Sequence, residues 1–485
     1  MYKRAAALIL SVIFITCSFI FVGCQSKEVS RTTYDINVTL TDNILSGEQT
    51  VNYYNDTETA ISVLKFNLYG NAYRKDATFS PVSAQHVAQS YPNGFSYGDM
   101  KINDVTCGGK KLNFEVCGQD LNILEVELGK EIFPDERISV KIDYTLSIAK
   151  VVSRTGINEH TINLANFYPI LCARDENGFY ECVYYSTGDP FYSDHADYRV
   201  TLTADEKYVV AASGKNLSNT DNGSTVTNVY EIENALSFCF VLSDKFSVLK
   251  SNKAGVDIYY YYYDDENPNS SMEYAEKCIS YFSKTFGEYA YPQYTFVETE
   301  FVQGGMEFSA LTMISDDLSA ESFGEVIVHE TAHQWWQTAV SNNEIEYGFL
   351  DEGLTEYSVV LFYENHPEYS LSRAELIKSA EDTYRIFCTV SDKVFGSVDT
   401  RMLRPLKDFK SEYEYVNLAY VKPCIMYDYL RTTIGDKRFF KSLKDYYAKY
   451  KFDCATPHDL VGVFEKSGAD TNGFFQSFFD GKVII

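Results

Sequence analysis

The sequence predicts a multidomain protein in which an all-β region is followed by an α+β region that ends in helices. Two patterns predict this: apolar residues alternate in short runs from about residue 32 to 262, and they then recur at helical spacing. The composition is that of a folded chain, because 45% of the residues are hydrophobic and 15% are aromatic. At 485 residues the chain is long enough for two to four domains, each with its own core.

The formal net charge of −26 excludes several partners. A chain with such an acidic excess repels phosphate groups, so nucleic acid is not expected to bind it. Surface charge alone would not hold it on anionic lipid either. Composition therefore narrows the possible functions without naming one.

The first thirty residues have the layout of a secretion signal. Two basic residues precede an apolar stretch from Ala5 to Val22, which ends just before Cys24. This layout resembles a bacterial lipoprotein signal, which implies that residues 1–23 are removed and that Cys24 carries a diacylglyceryl anchor. Residues 24–33 would then be a tether. The alternative is an uncleaved anchoring helix, since about 18 apolar residues can just span a bilayer. Both place the rest of the chain outside the cytoplasmic membrane.

Short alternating segments predict that residues 34–250 form an antiparallel β-sandwich or saddle. Turn residues separate these segments, as in Asp221-Asn222-Gly223. The clearest predicted strands are 34–40, 61–68, 121–128, 138–146, 198–203 and 256–263.

After this region the apolar period lengthens to three or four residues, which is typical of helices. Residues 251–450 are predicted to be a mixed catalytic domain, and residues 451–485 a C-terminal helical segment. Strands are expected at 294–301 and 308–314. The predicted helices are 272–286, 321–338, 350–363, 371–388, 416–432, 436–450, 456–467 and 472–479.

The motif His329-Glu330-Thr331-Ala332-His333 lies inside the predicted helix 321–338. Helix positions four apart lie one above the other, so the two imidazoles can bind one Zn²⁺. A catalytic zinc takes three protein ligands and a water, and Glu352, after eighteen intervening residues, is the candidate third ligand. Glu330 is turned about 100° away from His329, beside the metal. The motif therefore predicts hydrolysis in which Glu330 takes a proton from a zinc-bound water that attacks a carbonyl.

The residues around this motif resemble the M1 family of zinc aminopeptidases, the gluzincins. The similarity covers roughly residues 34–480 and implies a β-saddle domain followed by a thermolysin-like catalytic domain with C-terminal helices. The segments that carry it are HETAHQWW, FLDEG around Glu352, GGMEF at 304–308, Tyr415 through Tyr420 to Lys422, GDPF at 188–191 and AASG at 211–214.

The resemblance assigns the metal site. It implies that His329, His333 and Glu352 are the zinc ligands and that Glu330 is the general base. Tyr420 would donate its phenol hydroxyl to the oxyanion of the tetrahedral intermediate. The implied cofactor is one Zn²⁺ per chain.

The resemblance also implies how a peptide is held. Glu307 would pair with the free α-ammonium group of the substrate and so limit each cut to one residue. Gly304 and Gly305 would let the peptide backbone approach the edge strand and pair with it. Tyr415 would assist at the same site. The implied partners are a peptide with a free N-terminus and, through Cys24, the membrane.

The sequence departs from the family pattern at two positions. Phe308 stands where the family usually has Asn, and Pro423 stands where a Gly normally follows the lysine. The resemblance also leads us to expect a form of the family without the large C-terminal helical domain that closes the cavity in longer members. The favoured function is removal of N-terminal residues from peptides outside the cytoplasmic membrane. Two alternatives remain open: a zinc endopeptidase with an open cleft, and a surface peptide-binding lipoprotein that does not catalyse.

Overall fold

The computed structural model describes residues 31–175, 177–468 and 471–483. The predicted signal and the lipidation site Cys24 lie outside these residues. Within them, no helix combines the length and the apolar character that a membrane crossing requires.

The first half consists of strands, as the alternating pattern predicts, with a short helix α1 (Val87–Ser90). The strands that the structure describes up to residue 243 are β1 (Thr33–Thr41), β2 (Ile44–Tyr54), β3 (Ile61–Asn67), β4 (Asp99–Cys107), β5 (Lys110–Lys111), β6 (Phe114–Cys117), β7 (Ile123–Ile132), β8 (Arg137–Ser147), β9 (Thr155–Ile157), β10 (Ile162–Leu164), β11 (Ile170–Leu171), β12 (Arg174–Asp175), β13 (Gly178–Phe179), β14 (Ala196–Asp205), β15 (Val209–Ala212), β16 (Lys215–Asp221), β17 (Thr225–Ala235) and β18 (Phe240–Ser243).

An eight-stranded sheet dominates this half, in the order β16-β17-β14-β1-β2-β8-β4-β5. Its pairs are antiparallel except β1 with β14, which run parallel. Side chains alternate along β1, where Ile36 and Val38 are buried and their neighbours face solvent. Two four-stranded sheets, β15-β18-β10-β9 and β11-β3-β7-β6, complete the half.

The second half contains a five-stranded sheet and most of the helices. Its described strands are β19 (Ser247–Lys253), β20 (Val256–Tyr262), β21 (Gln293–Thr299), β22 (Gly305–Phe308), β23 (Leu311–Ser315), β24 (Val340–Ser341) and β25 (Asp453–Cys454). Its described helices are α2 (Pro268–Thr285), α3 (Ala320–Ala332), α4 (Glu344–Tyr347), α5 (Phe349–Asn365), α6 (Arg373–Phe395), α7 (Glu412–Tyr415), α8 (Lys422–Ile434), α9 (Asp436–Tyr450), α10 (Pro457–Glu465) and α11 (Asn472–Phe479). The predicted fold class is confirmed. The predicted domain boundaries stay a prediction, and the one at residue 250 falls inside β19.

The helices and the five-stranded sheet bring the motif segments together. The sheet order is β19-β20-β21-β23-β22, so β22, which carries Glu307, is an edge strand. Helix α3, which carries the histidine motif, packs on β22 and β23 on one side and on α5 on the other. Helix α5, which begins three residues before Glu352, packs in turn on α8. The catalytic segments are thus held between the sheet edge and a layer of helices.

Three predicted elements differ from the structure. The helix predicted at 321–338 ends at Ala332, because the chain turns sharply to bury Trp335 and Trp336, and Gln337 has a φ of 130°. The single strand predicted at 308–314 is the end of β22 and the start of β23, joined by a turn in which Ala310 has a φ of 56°. The regular helix predicted at 416–432 begins as a π-helix over residues 416–421.

Candidate active site

A cavity of about 540 Å³ separates the strand half from the helices. Its walls come from β22, α3, α5, α6 and the π-helical segment, with Arg154 and Asp189 contributed by the strand half. Among the residues that the sequence analysis singled out, it is lined by Gly304, Gly305, Glu307, His329, Glu330, His333, Glu352, Tyr415 and Tyr420. The structure therefore brings all the predicted site residues within the described part of the chain into one cavity.

Three ligand atoms converge at the centre of this cavity. His329 Nε2 and His333 Nε2 are 3.1 Å apart, and Glu352 Oε2 lies 3.4 Å and 3.2 Å from them, respectively. A zinc ion bonded to nitrogen and oxygen at about 2.0–2.1 Å with tetrahedral angles keeps its ligand atoms about 3.3 Å apart. The three side chains therefore already have the spacing that one zinc ion requires.

The other ring nitrogen of each histidine is hydrogen-bonded. His333 Nδ1 lies 3.0 Å from the carbonyl oxygen of Trp336, which can only accept, so this nitrogen carries the proton. His329 Nδ1 lies 3.2 Å from the acceptor Glu356 Oε2. Both Nε2 atoms consequently present lone pairs to the same point as the carboxylate of Glu352. Such converging acceptors fit a cation, and two imidazoles with one carboxylate suit Zn²⁺.

The same proximity governs proton binding at the three ligands. Burial opposes charge on Glu352, but the imidazoles of His333 and His329 lower the pKa of its carboxyl to about 2. Burial also opposes charge on His329, yet Glu352 and Glu356 raise its pKa to about 10. Protons and a metal ion therefore compete for the same atoms, and metal binding releases protons.

A second set of groups, Glu307, His333 and Asp351, also offers ligand atoms within 4.8 Å of one another. It shares His333 with the first set. Asp351 already accepts a hydrogen bond of 3.0 Å from Asn342 Nδ2. The first set is the better metal site, because among the described residues no donor outside the set forms a hydrogen bond with its three ligand atoms.

Glu330 and Glu307 are buried carboxylates that face the cavity from α3 and β22. Glu330 Oε2 and Glu307 Oε1 each have no hydrogen-bond partner among the described residues. Burial, followed by the nearby Glu307, raises the pKa of Glu330 to about 8. Burial raises the pKa of Glu307 to about 7, against the opposing effect of His333. Both carboxylates are therefore suited to receive a proton or a cation from a ligand in the cavity.

Glycine at position 305 makes room for Glu330. A Cβ atom at Gly305 would overlap the carboxylate of Glu330. Gly304 differs, since its φ of 89° requires glycine while nothing lies within 4 Å of a Cβ placed there. Of the two glycines expected to admit a peptide backbone, Gly304 borders open space, whereas the space beside Gly305 holds Glu330.

Tyr420 lies in the π-helical segment 416–421 and reaches the metal site. Its hydroxyl donates a hydrogen bond of 2.5 Å to Glu352 Oε1. Its ring stacks on that of His329, with centroids 5.9 Å apart and planes 12° apart. A π-helix adds a residue per turn and often occurs at functional sites. Pro423, which departs from the family pattern, sits in the first turn of α8, where it has no hydrogen to donate to the preceding turn.

Gly353 and Gly348 leave room for the side chains of Pro423 and Tyr415, respectively. Gly353, the residue after the third ligand, packs so closely on Pro423 that a Cβ atom would overlap the proline ring. Gly348 lies against the Tyr415 hydroxyl, where a Cβ atom would come within 2.7 Å of it. Tyr415 is buried, and its ring meets that of Tyr420 edge-on at 5.8 Å. Tyr415 thus lines the cavity and packs against Tyr420.

Three further residues lie at the site, although no sequence motif predicts a role for them there. Arg154 and Asp189 form a buried ion pair, and Arg154 Nε also donates to the sulfur of Met306, 3.1 Å away. The pair thus packs beside Glu307 and supports β22. Glu356 orients His329, and its position four residues after Glu352 on the same helix could have revealed it. No local spacing links Arg154 to Asp189.

The arrangement defines a class of protein. Two histidines one helical turn apart, a glutamate from the next long helix and a free carboxylate beside them form a mononuclear zinc hydrolase site of the gluzincin type. Residues 270–478 match the family model described as "Peptidase family M1 domain". This region is therefore similar to the zinc metallopeptidase domain of the M1 family.

Known proteins with similar sequences agree with this assignment. Aminopeptidase B of Rattus norvegicus is 27% identical over 224 residues, which cover 41% of this chain and 32% of the relative. Leucine aminopeptidase 2 of Aspergillus fumigatus is 27% identical over 183 residues, 36% of this chain and 28% of the relative. Leukotriene A-4 hydrolase of Xenopus laevis is 25% identical over 231 residues, 44% and 34% of the two chains. The chain spans about a third of the length of these curated relatives.

A solved structure shares the fold over nearly the whole chain. The M1 zinc metallopeptidase from Deinococcus radiodurans superposes with a TM-score of 0.67 at 16% identity, covering 93% of this chain and 94% of the other. A mutant of that protein was solved with a Tyr-Ser-Ala substrate bound, and it superposes with a TM-score of 0.66 at 16% identity. The strand half and the helical half therefore occur together in a known M1 architecture.

Proposed function

We propose that the chain is a zinc aminopeptidase that releases single residues from the N-terminus of peptides. The main observation is that the free carboxylate oxygen of Glu307 faces the same cavity as the three zinc ligands. A buried carboxylate without a partner favours a cationic ligand, and the α-ammonium group of a peptide is such a cation. The names of the aminopeptidase relatives support the same activity.

The residues around the metal have distinct parts in this reaction. Bound zinc supplies Lewis acidity, which polarises a carbonyl and makes a water molecule more acidic. Glu330 is placed to accept the proton of the attacking water on its free Oε2, because Gly305 leaves room for its carboxylate. Glu307 holds the α-ammonium group and so sets the bond to be cleaved. The edge strand β22 offers backbone groups along which the first substrate residue can pair.

Tyr420 is the proposed donor to the developing oxyanion. Its hydroxyl lies 2.5 Å from Oε1 of Glu352, one of the residues that would hold zinc, so this donor borders the position where the oxyanion would develop. Tyr415 packs against the Tyr420 ring and limits its movement. Tyr415 is thus a positioning residue in this proposal.

We also propose that the protein is anchored by lipid at Cys24, on the outer side of the cytoplasmic membrane. The signal-like residues 1–23 support this, and the structure does not describe them. Cells expressing the native chain and Cys24→Ser should be labelled with an alkyne fatty acid. The native protein should take up label and fractionate with membranes, whereas the variant should remain unlabelled. An unlabelled native protein would leave the uncleaved helix as the anchor.

The activity is tested with one peptide series in two forms, free and N-acetylated. The zinc-loaded protein should cleave the free series only, one residue at a time. Glu330→Gln should abolish turnover with zinc still bound, and Glu307→Gln should raise KM for the free series. Glu321→Gln is the matched control, because this carboxylate is exposed in the first turn of α3. It should leave both parameters unchanged.

The alternatives give different results in the same assay. Internal cleavage of acetylated peptides would identify an endopeptidase with an open cleft. Binding of zinc and peptide without turnover of either series would identify a peptide-binding lipoprotein. If Glu307→Gln cleaves free peptides with the same KM as the native protein does, the main argument for an aminopeptidase is lost.

A further inference from the structure

Helix α6 carries a row of exposed apolar side chains. Ile386, Val390 and Val394 are 59%, 43% and 65% exposed, and they follow one another at four-residue spacing. We call these three residues the α6 stripe. Contiguous exposed apolar patches, unlike single exposed apolar residues, often mark interaction sites.

The α6 stripe continues one wall of the cavity. Near its start, α6 lines the cavity with Leu376, Ser379, Ala380 and Thr383. At 100° per residue, these four positions and the stripe fall within an arc of about 120° on one helix face. The surface that borders the metal site therefore extends along α6 to the outside of the protein without interruption.

The cavity extends from the sheet edge to α6. At the sheet edge lie the acidic groups Glu307 and Asp189. On the side of α6 the lining combines apolar residues with Ser379, Thr383 and the carboxylates of Glu356 and Glu412, and α6 packs on α5, α8 and the π-helical segment. The apolar lining residues on this side are Val359, Val360, Leu376, Val416, Val421 and Cys424. A peptide whose ammonium group is held at Glu307 can therefore extend through the cavity toward α6.

We propose that the α6 stripe is an additional binding surface for the substrate, which takes apolar side chains on the C-terminal side of the cleaved bond. This inference rests on the proposed peptidase function. Val390 lies about 10 Å beyond Thr383 along the helix, a distance that about three extended residues span. A peptide must therefore extend about three residues past Thr383 to reach Val390, so dipeptides and tripeptides would not reach the stripe, whereas decapeptides are long enough to test it.

The rim of the cavity supports this path. Val416 lines the cavity and is 40% exposed, and Tyr413 beside it is 46% exposed. The Tyr413 ring meets that of Phe387 of α6 edge-on at 5.7 Å. An apolar surface thus connects the cavity mouth to the stripe. The net charge of −26 disfavours an anionic membrane as the occupant.

The test uses two decapeptides with the same first three residues. One has leucine or valine at positions five to eight, and the other has serine or glycine there. The zinc-loaded full chain should prefer the apolar decapeptide in kcat/KM by about tenfold, which corresponds to partial burial of two or three apolar side chains. Ile386→Ser with Val390→Ser should reduce that preference to near one and leave hydrolysis of a dipeptide amide unchanged.

The matched control replaces two exposed apolar residues of the strand half, Val209→Ser and Leu217→Ser, which are 37% and 44% exposed. This variant should keep the tenfold preference. A wild-type protein that treats the decapeptides alike would overturn the proposal, as would a preference that survives the α6 substitutions. The proposal would also be overturned if the α6 substitutions changed the protein from a dimer to a monomer in sedimentation and left the preference unchanged. The stripe would then be the contact with a second copy of the chain.

Binding separates this proposal from the activity on which it rests. Fluorescence anisotropy with the zinc-loaded Glu330→Gln protein should show about tenfold tighter binding of the labelled apolar decapeptide than of the polar one. The α6 substitutions should remove the difference. If the wild-type protein hydrolyses neither decapeptide but this binding difference is present, the peptidase activity is rejected and the binding surface is kept. Equal binding of the two decapeptides would reject the surface.

Discussion

Gly305 lies so close to the carboxylate of Glu330 that a Cβ atom at position 305 would overlap it. The two residues belong to different elements, β22 and α3, that pack against each other. The absence of a side chain in the strand therefore determines where the proposed general base can sit. The first prediction follows from this contact.

Gly305→Ala should displace the Glu330 carboxylate and lower kcat/KM by about 100-fold, because misplacement of a catalytic group by about 1 Å costs that much. Zinc content should remain at one ion per chain. Gly462→Ala is the matched control, since nothing lies within 4 Å of a Cβ atom at this position in α10. Native kcat/KM in Gly305→Ala would show that Glu330 is not the base or does not depend on this space.

Tyr420→Phe removes the hydroxyl that donates to Glu352. If Tyr420 also serves the oxyanion, kcat should fall about 100-fold while KM changes little, because the donor acts mainly in the transition state. Tyr427→Phe is a suitable control, since its buried hydroxyl has no partner among the described residues. Steady-state kinetics on one free peptide distinguish the variants. A loss of zinc with unchanged kcat per bound zinc would instead make Tyr420 a support for the ligand alone.

Glu356 orients His329 through a contact of 3.2 Å. Glu356→Gln keeps the shape but removes the charge, and zinc affinity should fall about 10- to 100-fold, as is usual for groups that support a metal ligand. Competition with a chromogenic chelator measures this. Glu325→Gln removes another carboxylate of the same cavity and should have a smaller effect. Equal losses of zinc affinity in the two variants would indicate that Glu356 acts through its negative charge in the cavity and not by orienting His329.

Buried His195 should make stability depend on pH. Burial lowers its pKa to about 4, and its Nε2 donates to the carbonyl oxygen of Thr338 at 2.9 Å. An unfolded histidine has a pKa of about 6.5, so the unfolded chain binds more protons between these values. The free energy of unfolding should therefore fall by about 3 kcal/mol from this group as the pH drops from about 6.5 to about 4.

Urea unfolding of the metal-free protein at pH 7 and pH 4.5 measures this effect. His195→Gln should be destabilised at pH 7 and should approach the native protein at pH 4.5. His458→Gln, which replaces an exposed histidine of α10, should follow the native protein at both values. A constant difference between His195→Gln and the native protein would contradict the predicted role of this group.

Local spacing predicted the centre of the site well. His329 and His333 are four residues apart on one helix, so helical geometry alone brings their imidazoles together. Glu352 could also be proposed as the third ligand from the sequence, because it follows His333 after eighteen residues, near the start of the next predicted helix. In the structure the three side chains lie close together, although α3 ends at Ala332, so His333 is already the residue that caps the helix. Their role as metal ligands stays a prediction. Burial of two tryptophans outweighed the apolar periodicity that had extended this helix to residue 338.

The expected positions of Glu307 and Tyr420 came from the family resemblance and not from spacing. Glu307 faces the metal ligands only because β22 takes the edge of the five-stranded sheet beside α3. Tyr420 reaches Glu352 from a π-helix that periodicity did not predict. Pro423, an apparent departure, fits because Gly353 leaves room for its ring on the facing helix.

By itself the sequence determined the order of strands and helices, the acidic charge and the proximity of His329 to His333, since these depend on composition and on neighbours within one or two turns. The tertiary structure alone decided that Arg154 pairs with Asp189 beside β22. It also decided that Gly305 holds space for Glu330 and that the α6 stripe extends the cavity wall. These contacts join segments far apart in the chain, and only the packing of sheets and helices sets the distances between them.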